Sequence, residues 1–409
     1  MKVANHFEPN PPRLATACHG ALALTLLAVA CSGDDAATTA GSTADASSAG
    51  STADASSSAA STDPTAASTG AAATTQGSAS ESASASGTTA PESTGPSTTA
   101  GTSTTDPTTT DSTTGDPTGG ADQVVRFIVL GDTGEGNEDQ YTVAQAIVEI
   151  CAQRGCDFAV LTGDNFYDSG VDGVDDPQWQ TKFETPYEDF TFPVYAVLGN
   201  HDYGGGGIGV DFDGDKPDYQ VQYTQKSKLW KMPARYYAFA LGDAEFWALD
   251  TNEVMTDPIN GSSDPQKAWF QAGTAASAAT WKIAFGHHPY ISNGPHGNAG
   301  AYENLEAIPF PFVAGTNVKK FMDATICNKI DVYFSGHDHQ LQWLQPTCGV
   351  EFIVSGAGSK AGPLPGKNPF RFQLAEMEGF IWVEIIGKDF TGVFYDKTGA
   401  ELFTHALSK

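Results

Sequence analysis

From residue 124 onward, short apolar runs alternate with amphipathic stretches, the pattern of β-sheet interleaved with helix. Val124 to Leu130 (VVRFIVL) is a β-rich run that stops at the turn signal Gly131-Asp132-Thr133-Gly134. Residues 138 to 153 (EDQYTVAQAIVEICAQ) carry apolar positions at helical spacing and end ahead of Gly155. A second short strand is predicted at 158–161, ending at Gly163-Asp164-Asn165, and a third at 194–198, ending at Gly199-Asn200-His201-Asp202. Further strands are predicted at 235–240, 245–250, 281–285, 331–335 and 350–354, with helices near 264–276 and 316–327. The tail, 380–397, alternates as antiparallel strands do.

One feature recurs across these elements. Five strands end in Gly followed at once by a polar, metal-competent residue: GDTG, GDNFY, GNHD, GHH and GHDH. In open α/β sheets ligands gather at the carboxyl ends of strands, and Gly lets the backbone turn sharply and lets a ligand approach. Motifs far apart in sequence would then converge in space. The histidines repeat the point: of seven after residue 121, six (His201, His287, His288, His296, His337 and His339) lie in these blocks, and His405 reads as a surface residue near the C-terminus. A single Asp or His is most simply a cap or a satisfied polar group; five blocks together are not.

The first part of the chain has another character. Between Arg13 and Arg126 there is no Lys or Arg, and between Phe7 and Phe127 no aromatic residue. A Ser/Thr/Ala/Gly tract of this kind buries too little apolar surface to offset chain entropy. Three segments follow: 1–31 as a signal peptide, 32–121 as a disordered stalk of roughly 50 Å, and 122–409 as the folded domain. Residues 14 to 30 form a short apolar run after Lys2 and Arg13 and end in small residues before Cys31, the layout of a secretory signal. Ala28-Val29-Ala30-Cys31 resembles a bacterial lipobox, with lipid on Cys31 anchoring the chain to a cell envelope or surface; the same residues fit an ordinary A-x-A cleavage site and a secreted product. Ser/Thr-rich tracts with Pro can also carry O-linked sugars. No second apolar stretch is long enough to span a bilayer.

Six cysteines refine this picture. Cys18 leaves with the signal, Cys151, Cys156, Cys327 and Cys348 form an even set, and Cys31 is the odd one, which a lipid would account for. The even set suits an oxidising compartment. Of three possible connectivities, Cys151–Cys156 and Cys327–Cys348 close the shortest loops; four unpaired thiols are the alternative. Neither CxxC spacing nor a neighbouring His favours a zinc site at these cysteines. The formal charge is -28; two of the 21 basic and eleven of the 49 acidic residues precede residue 122, leaving 19 against 38 in the folded part. Such a balance argues against a nucleic-acid partner, since phosphate-backbone binding is driven by Lys and Arg.

Taken with GDNFYDSGV (163–171), VQYTQKSKLWKMPARYY (221–237), GHDHQLQWLQ (336–345) and SGAG (355–358), the five blocks resemble the calcineurin-like metallophosphoesterases, and among them the short, tartrate-resistant purple acid phosphatases. The resemblance covers nearly all of 124–400. Tyr167, three residues after Asp164, marks the purple subgroup. The implied fold is a four-layer α/β/β/α sandwich, two mixed sheets flanked by helices. The resemblance also implies two metal ions: Fe(III) held by Asp132, Asp164, Tyr167 and His339, and Fe(II), Zn or Mn held by Asp164, Asn200, His287 and His337, with Asp164 bridging. The residue types agree, because phenolate and carboxylate suit a hard trivalent ion and imidazole with amide oxygen a borderline divalent one. The implied reaction is hydrolysis of a small phosphate monoester by a metal-bound hydroxide, with His201 and His296 over the phosphate stabilising the transition state and helping to protonate the leaving group. His288, in GHHPYISNGPHG (286–297), is expected behind or at the rim of the ligand set rather than in it.

The chain departs from the family's mammalian members at GGGGIGVDFDGDKPD (204–218), which reads as a surface loop, with a lid or a cation loop at Asp211, Asp213 and Asp215 as alternatives. Two competing activities stay open: a phosphodiesterase or nucleotide pyrophosphatase on the same residues, and a surface lipoprotein whose domain only binds. The second would require a lost ligand, and none is missing.

Overall fold

The opening apolar run forms β1 (Val124–Leu130) in a computed structural model that describes residues 123–204, 212–259, 262–305 and 313–409. The expected signal segment, Cys31 and the 32–121 stalk lie outside the described residues, as do 205–211 of the 204–218 segment. β1 pairs in parallel with β2 (Phe158–Leu161) and antiparallel with β12 (Gly379–Ile386), Phe127 lying opposite Phe158 on one side and Val383 on the other. Flanked on both edges and covered on both faces, these strands are nearly continuous apolar runs, interrupted by Arg126 of β1 and Glu384 of β12, which pair with each other at 2.7 Å. The sheet extends through β3 (Val194–Ala196) to the two-residue β4 (Trp230–Lys231), and on the other side through β13 (Asp389–Asp396) to β14 (Glu401–Ser408).

A second sheet runs in the order β11 (Phe370–Leu374), β9 (Leu341–Leu344), β10 (Glu351–Ser355), β8 (Val332–Ser335), β7 (Trp281–Phe285), β6 (Ala244–Ala248) and β5 (Tyr237–Leu241). Rings interlock the two sheets. Phe127 stacks on Phe158 at 5.0 Å, and both meet Phe246 edge-on at 5.3 and 5.2 Å. These side chains are fully buried, each contributing about 1.5–3 kcal/mol of transfer free energy before entropy is counted.

Helices cover the outer faces. α1 (Glu138–Arg154) starts at Asn137, whose side chain accepts a bond from the Gln140 N–H, and ends at Gly155 with φ 83°. It buries Val143, Ile147 and Ile150. On the far side of the second sheet, Val254 of α3 (Thr251–Thr256), Phe270 of α4 (Asp264–Ala276) and Phe321 of α5 (Thr316–Thr325) share a core with Trp247, Tyr333 and Phe352. The arrangement is the expected four-layer sandwich. Both short-loop disulfides are present, Cys151–Cys156 and Cys327–Cys348. The described end of the 204–218 segment leads into a helix that periodicity did not disclose, α2 (Lys216–Tyr223). Asp213 there accepts a bond from the Asp215 N–H, and Phe212 stacks on Tyr203. No helix among the described residues is long and apolar enough to cross a membrane.

Candidate metal centre

The five Gly-polar blocks lie at the ends of β1, β2, β3, β7 and β8, and the structure brings their side chains together. Close approach explains the glycines. A Cβ on Gly199 would lie 2.1 Å from Asp164 Oδ1, and one on Gly336 would lie 2.3 Å from Asp132 Oδ2. Asp132, Asp164 and His337 take φ values of 56, 50 and 69°, a left-handed conformation costing a side-chain-bearing residue about 1–3 kcal/mol. Hydrogen bonds hold it. The Asp132 N–H donates to Gly163 O (2.9 Å), the His337 N–H to Asp132 Oδ2 (3.0 Å) and the His201 N–H to Asp164 Oδ1 (2.9 Å).

Two groups of donor atoms result. In the first, Tyr167 Oη is 3.0 Å from Asp132 Oδ1, 2.9 Å from Asp164 Oδ2 and 3.3 Å from His339 Nε2, while His339 Nε2 is 3.5 Å from Asp132 Oδ1. In the second, His287 Nε2 is 3.4 Å from Asp164 Oδ2, 2.9 Å from Asn200 Oδ1 and 3.1 Å from His337 Nδ1. Asp164 Oδ2 belongs to both. His201 and His296 flank the pair: the His201 ring lies 4.6 Å from Tyr167, and the His296 ring stacks on His337 at 4.2 Å.

The Calcineurin-like phosphoesterase family model matches residues 125–341. Purple acid phosphatase 4 of Arabidopsis thaliana is 31% identical over 70% of this chain and 85% of its own length. Tartrate-resistant acid phosphatase type 5 of Homo sapiens is 27% identical over 71% and 93%. The chain belongs to the calcineurin-like phosphoesterases. Among solved structures, the Plasmodium protein described as GAP50, the anchor in the inner membrane complex, superposes with a TM-score of 0.55 at 23% identity over 70% of this chain and 89% of that one, a likeness of fold. The protein is therefore a metal-dependent phosphoester hydrolase, and its purple acid phosphatase relatives imply a dinuclear centre.

The donor set of this phosphoesterase fits metal ions. Ligand atoms about 2.0–2.2 Å from one cation necessarily lie near 3 Å from each other, the spacing found in both groups. Asp132, Asp164 and His287 are fully buried or nearly so, and buried carboxylates this close need positive charge beside them. Burial would push Asp164 up, but the imidazoles of His287 and His201 overcome it and hold the carboxyl well below the usual range. Burial likewise works against a charged His287, yet Asp164 and Asp132 lift it to about 9. His337, buried among His296, His288 and His287, is driven down and stays neutral. Burial and the two carboxylates raise the Tyr167 phenol well above its ordinary value, so only a strong cation could draw off its proton. His287 Nδ1 donates to Thr162 O at 3.0 Å, which turns the Nε2 lone pair toward the centre.

His288 lies behind the two donor groups and not at their rim. It is fully buried, with Nδ1 2.8 Å from Thr251 Oγ1 and its ring against His287 and His337. Three supporting residues escaped sequence reading. Asp202 staples two donor-bearing loops to α2, accepting from the Gly199 N–H (2.7 Å), the Asn165 N–H and Nδ2, and Gln220 Nε2 (2.8 Å); its place in the GNHD block was the available signal. Asp338 accepts from the His296 N–H at 2.9 Å and so fixes that loop. Lys360, ion-paired to Glu135 at 2.6 Å, lies 3.7 Å over the Tyr167 ring; nothing in its sequence neighbourhood pointed there.

Proposed function

We propose that this phosphoesterase hydrolyses small phosphate monoesters outside the cytoplasm, at a centre whose first metal is held by Asp132, Asp164, Tyr167 and His339 and whose second is held by Asp164, Asn200, His287 and His337. The observation that carries the reading is Asp164 Oδ2, the common vertex of the two donor groups. The hard phenolate-carboxylate group suits Fe(III), and the imidazole-amide group suits Fe(II), Zn or Mn. When bound, two such ions supply Lewis acidity that acidifies a water and offsets charge building on the phosphoryl oxygens.

The remaining work falls to the protein's own groups. His201 Nδ1 lies 2.7 Å from Asp168 O; a carbonyl only accepts, so Nδ1 carries the hydrogen and Nε2 is the nitrogen for substrate. His296 is held by Glu303 through Nδ1 and takes the same division of roles. Together the two imidazoles orient the phosphoryl group, and a doubly protonated ring gives its Nε2 hydrogen to the departing alkoxide, keeping the one on Nδ1. Two disulfides support an oxidising compartment, and with the sequence features of 1–31 and 32–121 we read an exported enzyme on a stalk, anchored by lipid at Cys31. Turnover of 4-nitrophenyl phosphate against bis(4-nitrophenyl) phosphate tests the substrate class. The monoester should be preferred by at least an order of magnitude; preference for the diester would replace this reading with a phosphodiesterase.

A further inference from the structure

His296 reaches the centre on a loop rather than a strand end, and two contacts tie it to Tyr302–Asn304. The Glu303 carboxylate meets His296 Nδ1, and the Glu303 N–H donates to His296 O at 3.0 Å. Glu303 and Asn304 both take left-handed backbone (φ 58 and 55°), an uncommon pair for residues with side chains. The neighbouring Tyr302 is buried, its hydroxyl donating to Pro289 O and its N–H to Ala314 O at 3.2 Å. The turn is thus anchored at both ends of the His296 loop. Ligating atoms of His296, Glu303 and His337 lie within 4.8 Å of one another, so the carboxylate stands against the wall of the centre. A carboxylate so near a phosphate site would repel substrate unless a donor engages it. His296 is that donor.

We propose that Glu303 is a positioning residue for leaving-group protonation: it accepts the Nδ1 hydrogen of His296 and fixes the ring, so that the doubly protonated imidazole aims its Nε2–H at the leaving oxygen, gives up that proton, and is left as the neutral tautomer with its hydrogen on Nδ1. This rests on the reading of His296 as a substrate-facing group. The logic is that of a carboxylate orienting a catalytic imidazole, where the partner's main service is tautomer and direction. A good leaving group such as 4-nitrophenolate needs little protonation and an alkoxide needs much, so the two substrate types separate positioning from general damage.

The test uses the full-length, metal-loaded enzyme and its Glu303→Ala and Glu303→Gln variants, assayed on glycerol phosphate and 4-nitrophenyl phosphate. Glu303→Ala should lower kcat on glycerol phosphate about 10-fold or more beyond its effect on 4-nitrophenyl phosphate. Glu303→Gln, whose amide oxygen still accepts from Nδ1–H, should recover most of that loss. Independently of turnover, long-range nitrogen–proton NMR of 15N-histidine-labelled protein without added metal should place the His296 hydrogen on Nδ1 in wild type and mix the tautomers in Glu303→Ala. Equal loss on both substrates, no loss on either, or a wild-type tautomer protonated on Nε2 would overturn the proposal. His296→Ala separates the two readings. If it shows the selective loss and Glu303→Ala does not, Glu303 alone has failed; if neither shows it, the role assigned to His296 has failed and the proposal falls with it.

Discussion

Replacing Asp202 by Asn changes one atom where the loops that carry Asp164 and Asn200 meet helix α2. Its Oδ2 accepts from the Gly199 N–H at 2.7 Å and from Asn165 Nδ2 at 3.0 Å, and its Oδ1 accepts from Gln220 Nε2 at 2.8 Å, with the Asn165 N–H 3.1 Å from both oxygens. Every partner is a donor. An Asn amide nitrogen can only donate, so in either orientation it faces another donor inside the protein. If the Asn oxygen takes the Oδ2 place, the amide opposes Gln220 Nε2; turning Gln220 over sets its own amide against Asn165 Nδ2, now 3.3 Å from Gln220 Oε1. A buried unpaired donor costs about 1–3 kcal/mol. There is an offset: burial, then repulsion from Asp164, push the Asp202 carboxyl up to about 7, so removing its charge relieves strain. The net expectation is a loss of about 2 kcal/mol, or roughly 4–8 °C in Tm. Because Gly199 precedes Asn200 and Asn165 follows Asp164, metal affinity should also fall about 10-fold. Thermal unfolding with and without added metal, together with a zinc titration, measures both. A variant as stable as wild type within about 0.5 kcal/mol, with unchanged zinc affinity, would refute the staple.

Further expectations follow from the same geometry. Gly199→Ala puts a Cβ 2.1 Å from Asp164 Oδ1 and should displace the shared carboxylate, cutting bound metal to one ion per chain or fewer by elemental analysis; full occupancy would contradict this. Linkage gives a sign for pH. His287, raised to about 9, contributes stability that is complete below its unfolded value near 6.5 and is lost as pH rises through 9. Asp202, raised to about 7, acts in the same sense from about 4 to 7. His337 and His288, driven well below 6.5 chiefly by burial, act in the opposite sense as pH rises toward 6.5. The protein without added metal should therefore lose stability between pH 7 and 9, where His287 titrates, while the stabilisation conferred by metal, which needs His287 neutral, should grow; Tm measured in both forms across that range checks the two slopes. Cys327→Ser opens a loop of sequence separation 21 and should cost about 3 kcal/mol in denaturant unfolding.

Much of the centre was legible because its chemistry sits at strand ends, where a glycine and a polar residue interrupt an apolar run. Asp132, Asp164, Asn200, His287 and His337 each stand directly after such a glycine; a Cβ at Gly163, Gly199 or Gly336 would strike a neighbouring donor loop, one at Gly131 would strike Thr162, and one at Gly286 would strike Tyr333 and Thr251. Helix α4 was found at its observed bounds, since Ser263-Asp264-Pro265 opens it and apolar spacing sustains it. Other elements left weak signals. β4 has two residues, and β14 is an edge strand whose residues are all exposed or half-buried, so neither gives a strong apolar pattern. α2 follows a Gly/Asp-rich stretch and buries Gln220 and Lys216, polar residues that hide its inward face. His405, expected at the surface, is half-buried on β14 with its ring 5.1 Å from Trp343. Glu303 was invisible because its partnership with His296 depends on two left-handed residues in a turn, which no periodicity reports.

The central claim is that one carboxylate oxygen, Asp164 Oδ2, joins two metal sites. Metal content per chain, measured alongside 4-nitrophenyl phosphate turnover in wild type and in Asp164→Asn, tests it most directly. The account predicts two ions and turnover in wild type, with no more than one ion and turnover lowered by at least about 1,000-fold in the variant. Two ions retained by Asp164→Asn, or turnover near the wild-type rate, would contradict it.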